Sequence, residues 1–146
     1  MYVKNNSMKP LVGQKVYLAL IAPTKDVVIL ATESGPFYLT WGGDCCAKCF
    51  LGGVSGAEAL VGSTILGVEH SEWVSALNIS GDYYDDVVES MGTKIKTDKG
   101  YVTLETRLEH NGYYGGWILV SRERPEMDIF NSPDLVPPGF SMLKDF

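Results

Sequence analysis

The sequence has no apolar run long enough to span a bilayer, which takes roughly 18 residues or more. Its first ten residues, MYVKNNSMKP, lack the apolar stretch of a secretory signal. It has no basic cluster anywhere, and a net charge of −6. Phosphate backbones are bound by grouped Lys and Arg, so direct nucleic-acid binding is not expected. Only two histidines are present, His70 and His110, and cysteine is confined to one stretch. These absences place the chain in the cytoplasm, where thiols stay reduced. The odd cysteine count agrees, and membrane association is not expected. At 146 residues with 45% hydrophobic content the chain is one domain with enough core to fold without disulfides or metal.

Sixteen glycines and short apolar runs between turn signals describe a mostly β chain. Strands are expected over 14–22, 27–32 and 37–41, joined by PTKD and ESGP as an antiparallel meander. SGAEALVG predicts a short helix with a Ser55–Glu58 capping box and Gly62 as its left-handed stop. A strand follows over 63–69. SGDYYDDVVESMG, residues 80–92, predicts a longer helix, because Tyr84, Val87, Val88 and Met91 repeat at i, i+3, i+4 and i+7. TKIKT and GYVTLETRLEH form a hairpin about TDKG. The expected class is therefore α+β, mostly β: an antiparallel meander with one short and one longer helix. Residues 1–121 form the domain, and the proline-rich residues 122–146 an extended tail.

Asn111-Gly112 is a strong two-residue hairpin signal. Counting outward pairs Leu108 with Gly115, Thr106 with Trp117 and Leu104 with Leu119 on a core face. The opposite face carries Glu109 with Tyr114, Arg107 with Gly116, and Glu105 with Ile118. This face is either a solvated sheet surface, with Arg107 bridging Glu105 and Glu109, or a recognition surface on which Arg107 supplies the forked donor. Tyr101, Tyr113, Tyr114 and Asn111 add the flat, adaptable contact chemistry of recognition surfaces. Gly115 and Gly116 leave room either for Trp117 or for a ligand against the backbone.

The stretch GGDCCAKCF holds Cys45, Cys46 and Cys49. Structural zinc wants four ligands, and neither histidine has ligand spacing to these thiols. A redox C-x-x-C wants a helix start, and a nucleophilic cysteine wants a base such as His70 or His110. The competing account is structural: small thiols pack between Trp41 and Phe50 while Asp44 caps backbone amides. If a metal is held, Cys45, Cys46 and Cys49 are its ligands; otherwise no cofactor is expected.

GGDCCAKCF and KGYVTLETRLEHNGYYGG together resemble a group of small bacteriophage- and prophage-encoded proteins carrying a domain of unknown function. Asp44, Cys45 and Cys46 match its first motif; Asn111, Gly112, Tyr113 and Tyr114 match its second. The resemblance runs from Leu11 to Ser121. Cys49 is not a fixed part of that pattern, the link from His70 to Gly92 is longer than usual, and the tail lies outside it. It implies a location in the host bacterial cytoplasm and assigns no catalytic residue. The expected function is a non-enzymatic accessory protein that binds a host factor or a small ligand. Host takeover, inhibition of a defence system and sequestering of a nucleotide are versions of it. The partner is then a host or phage protein, or a small molecule. A virion or assembly component, self-associating through its tail, is the alternative. A cysteine-based metal-binding or redox protein is a further one.

Overall fold

The computed structural model describes residues 7–44, 47–77, 87–110, 115–127, 130 and 137–146. Ten strands run in chain order: β1 (Val16–Ile21), β2 (Val27–Thr32), β3 (Gly35–Gly43), β4 (Lys48–Ser55), β5 (Ile65–His70), β6 (Val74–Leu77), β7 (Val87–Thr97), β8 (Gly100–His110), β9 (Gly116–Ser121) and β10 (Ser141–Met142). Sheet one has the order β10-β1-β2-β3-β9. Sheet two has the order β4-β8-β7-β5, with β6 also paired to β7. All pairings are antiparallel.

The inner faces share one core. Val28, Leu30, Phe37, Leu39 and Ile118 from sheet one meet Leu51, Met91, Ile95, Leu104 and Leu108 from sheet two. One polar contact crosses it: the Trp41 indole N–H donates to Thr106 Oγ1 at 2.8 Å. The sheets are joined at two seams. Along one, the Gly13 and Ile65 amides donate to the Ile65 and Gln14 carbonyls, and the Val16 amide to the Ser63 carbonyl. Along the other, the Cys49 thiol donates to the Trp117 carbonyl at 3.7 Å.

The meander β1-β2-β3 and the β7–β8 hairpin, which closes on Thr97 and Gly100, form as the turn signals predict. The fold class does not. The described residues are all β, with no helix of seven or more residues; helical geometry is limited to 3-10 turns such as Ala57–Ala59. The longer helix is replaced by strand from Val87 onward. Glu89, Met91, Thr93, Ile95 and Thr97 point inward at period two, and β7 makes eleven paired positions with β8. Helical spacing would place Val88 and Met91 on one face; in the strand they point oppositely. β-Branched residues and long-range pairing outweigh a weak local pattern. The rest of that helix, with Tyr84, lies outside the described residues. The capping box is absent too: Gly56, at φ 74°, starts the 3-10 turn with no side-chain cap. Gly62 does take the left-handed conformation, at φ 82°.

The predicted β8–β9 pairing is also corrected. β8 is already bonded on both edges, by β4 and β7, so β9 joins β3 in the other sheet. Leu108 opposes Cys49 and Glu89, and Thr106 opposes Leu51 and Met91. Trp117 opposes Gly42, and Leu119 opposes Thr40. The inward faces of β8 hold as expected, but β9 is out of phase by one: Ile118 and Val120 are buried, and Trp117 and Leu119 turn away. The Asn111-Gly112 reversal itself lies outside the described residues.

Several of the described residues after 121 pack against the strands before them. β10 pairs with β1 through Leu20–Met142 and Ile21–Ser141. Phe130 sets its ring edge against Tyr38, with centroids 5.8 Å apart, and joins Leu20, Ala22, Val27 and Ile29 in a second apolar cluster. Arg122 donates to the Ser34 carbonyl and hydroxyl, both at 2.8 Å. The patch of sheet one's outer face around Leu20, Ile29 and Tyr38 is thereby covered.

Candidate functional site

Side chains of one strand face repeat every second residue. Tyr101, Thr103, Glu105, Arg107 and Glu109 therefore form one line along β8, on the outer face of sheet two, while Val102, Leu104, Thr106 and Leu108 are buried beneath. The structure thus brings together four of the seven residues singled out in the sequence. Asn111, Tyr113 and Tyr114 lie outside the described residues.

The register supplies neighbours that the sequence does not announce. Arg107 lies between Phe50 on β4 and Ser90 on β7. Glu105 lies between Gly53 and Gly92, so the middle of the face has no side chain on either flank. Tyr101 opposes Lys96, and Lys96 in turn opposes Gly67 on β5. These lysines were within reach of the sequence: counting back across TDKG from Gly100 sets Lys96 against Tyr101. The β4 and β5 partners were not, because no local signal links those strands to β7 and β8.

Arg107 Nη2 approaches Glu105 Oε1 at 3.5 Å, with both side chains 42% exposed. A pair so exposed contributes about 0–1 kcal/mol to stability. No ion pair joins Arg107 to Glu109. The glycine beneath Arg107 is Gly52, not Gly116: a Cβ at residue 52 would lie 3.2 Å from Arg107 Cβ and 3.5 Å from its Nε. That Nε is buried without a hydrogen-bond partner. Gly116 instead faces the core, where a Cβ would meet Leu108 and Cys49. Room for Trp117 is made by Gly42, on which its indole lies. Both close approaches are therefore intramolecular.

The two quoted motifs meet. The Asp44 amide donates to the Gly115 carbonyl at 2.9 Å, and the Gly115 amide donates to Asp44 Oδ2 at 2.9 Å. Asp44 thus caps a backbone amide, as expected, and the amide belongs to the second motif. Cys49 is buried, and desolvation pushes its thiol up to about 11 despite the bond to Trp117. A thiol held protonated at neutral pH is a poor nucleophile and metal ligand. Among the described residues no group of three or more His, Cys, Asp or Glu is arranged to hold a metal. Cys45 and Cys46 lie outside them. In a Cys45→Ser/Cys46→Ser background, Cys49 is expected to resist a disulfide reagent at pH 8 until urea unfolds the chain. Rapid native-state labelling would overturn that assignment.

Neither histidine is bonded to Cys49. His70 on β5 is three strand spacings from β4, about 14 Å. Its Nδ1 is 2.8 Å from Thr93 Oγ1, and its Nε2 is buried without a hydrogen-bond partner. Burial lowers its pKa. The unfolded chain therefore takes up a proton, as pH falls through about 6.5, that the folded chain resists. Stability from His70 is complete above that pH and is lost below it. The urea midpoint is expected to fall between pH 7.5 and 5.5, and to fall less in His70→Asn. His110 is taken up with Glu89, at 3.6 Å between Nε2 and Oε2.

No helix among the described residues is long and apolar enough to cross a membrane. No curated protein and no solved structure matches the chain. A family model described as Domain of unknown function (DUF7448) matches residues 9–120, from the first 3-10 turn through Val120 of β9. That span takes in both motifs, both seams and the whole outer face of sheet two, and the chain belongs to this family.

Proposed function

We propose that this chain is a non-enzymatic binding module that holds a protein partner against the outer face of sheet two. One observation carries this: the two sheets treat their outer faces differently. On sheet one, Met127, Phe130, Phe140 and Met142 pack over Leu20, Ala22, Val27, Ile29 and Tyr38. No described segment packs over sheet two in the same way, and its face combines a half-exposed arginine, an exposed Tyr101 and glycine-floored hollows. Arginine and tyrosine are the residue types that dominate binding energy in protein interfaces. The sequence resemblance to phage-encoded proteins makes a host factor the partner we propose, with inhibition of that factor as the outcome. The assembly reading draws nothing from the tail, whose strand β10 is paired within its own chain.

The test is photo-crosslinking in host cells. A benzophenone side chain in place of Ser90 or Thr103 is expected to trap one defined protein, and the same group at Glu123 to trap none. Arg107→Ala should reduce the yield about fivefold or more, as for an interface residue contributing above about 1 kcal/mol, with an unchanged melting temperature. Equal yields from both positions, or full yield with Arg107→Ala, would remove the assignment.

A further inference from the structure

We infer that the hollow between β5 and β8 on this face receives a carboxylate-bearing segment of the partner, an acidic peptide stretch. The inference rests on the binding reading above and names the chemistry of its partner. The hollow is about 360 Å³, lined by Gly67, Val68, Glu69, Lys94, Lys96 and Tyr101. That is the low end of the range for ligand pockets, about 300–1,000 Å³. It exists because β5 carries glycine opposite Lys96: a Cβ at Gly67 would find nothing within 4 Å.

Two ammonium groups flank this space. Lys94 Nζ sits 4.2 Å above the centroid of the Tyr101 ring. The ring's negative face holds the cation over the sheet instead of letting it trail into solvent. Lys96 extends from the next outward position of β7, between Gly67 and Tyr101. Neither lysine forms an ion pair with a described residue. The local acid is Glu69, opposite Lys94, so two cations face one carboxylate.

This local excess of positive charge stands on a chain of net charge −6. Over distances beyond about 10 Å the whole-chain field does not favour anions, and it is screened at ordinary salt. Binding must therefore come from contact within the hollow. A lysine donates three N–H groups as a point charge, and charge-assisted bonds to carboxylates are the strong class. The exposed flank of Tyr101 offers the peptide stem an apolar surface. A segment of glutamates and small residues fits these features. Within the lining of the hollow a basic segment would meet Glu69 as its one carboxylate.

The probe is a blocked decapeptide alternating glutamate and glycine, titrated into ¹⁵N-labelled full-length chain. Shifts are expected at Gly67, Val68, Lys94, Lys96 and Tyr101, saturating and weakening as salt rises from 50 to 500 mM. Lys94→Gln/Lys96→Gln should lower affinity about tenfold, equivalent to about 1.4 kcal/mol, with an otherwise unchanged spectrum. The inference is overturned by shifts elsewhere, by indifference to the double substitution, or by an equal response to a lysine–glycine decapeptide. Equal binding of inorganic phosphate would overturn it as well, because the hollow would then be a small-anion site. Crosslinking from Ser90 separates the two proposals. If it persists in the double variant while the peptide fails, only the acidic segment is lost. If it fails while the peptide titrates into the hollow, the protein-partner reading is lost.

Discussion

Replacing His110 with leucine is expected to lower the unfolding free energy by about 1–3 kcal/mol, the usual cost of leaving a buried polar group without its partner. Glu89 is only 5% exposed, a rare position for a carboxyl group. Ser75 donates to its Oε1 at 2.8 Å, and its Oε2 has only the His110 imidazole, at 3.6 Å. That oxygen makes no hydrogen bond, so the imidazole beside it is its nearest polar contact, and removing the ring takes that contact away. Glu89→Leu/His110→Leu together should recover much of the loss, since well-packed apolar residues commonly replace such pairs at little cost. Urea titrations of the single and double variants measure this, with an unchanged slope confirming that the unfolded state is the same. A cost below about 1 kcal/mol for His110→Leu would show that Glu89 is satisfied without it.

Gly56→Ala is expected to be at least as damaging. At φ 74° an alanine is strained by about 1–2 kcal/mol. Its Cβ would also overlap the Tyr101 carbonyl oxygen, a backbone atom of β8 that cannot swing away. Relieving that overlap shifts a central strand, which adds about 1–3 kcal/mol. Gly13→Ala is the control. It has φ 89° but open space around the new Cβ, so only the conformational strain should appear. Equal losses at both positions would mean that the approach to Tyr101 is not tight. Because Tyr101 lies on the proposed contact face, Gly56→Ala should also weaken partner capture, whereas Gly13→Ala should not.

Much of the layering was legible in the sequence, in a form that becomes plain with the fold. VVILAT, and VYLALI from Ala19 onward, are continuous apolar runs because that part of sheet one is covered on both faces. β8 alternates strictly because sheet two is covered on one face. The line Tyr101–Glu105–Arg107–Glu109 followed from that alternation alone. The failures share a cause. Asn111-Gly112 suggests a hairpin, but turn chemistry says nothing of whether the next edge of β8 is already taken. β7 takes one edge through the TDKG hairpin, which the sequence does announce, and β4 takes the other across a sequence separation that no local signal bridges. Of the helix expected at residues 80–92, the described part, 87–92, failed likewise: Val88 and Met91 suggest a helical face until eleven rungs with β8 decide for strand. Lys94 and Lys96 could be placed beside Tyr101 by counting through a four-residue turn. Phe50, Gly53 and Gly67 could not, because their register depends on strands that meet only in the folded chain.

The cover over sheet one has a consequence for how the protein is made. The ribosome releases β1 and β2 long before Phe130 and β10, so Leu20, Ile29 and Tyr38 must wait bare while the sandwich assembles. During that interval a newly made molecule carries an adhesive strip that the finished one conceals, and its yield in cells will depend on how promptly the closing segment arrives.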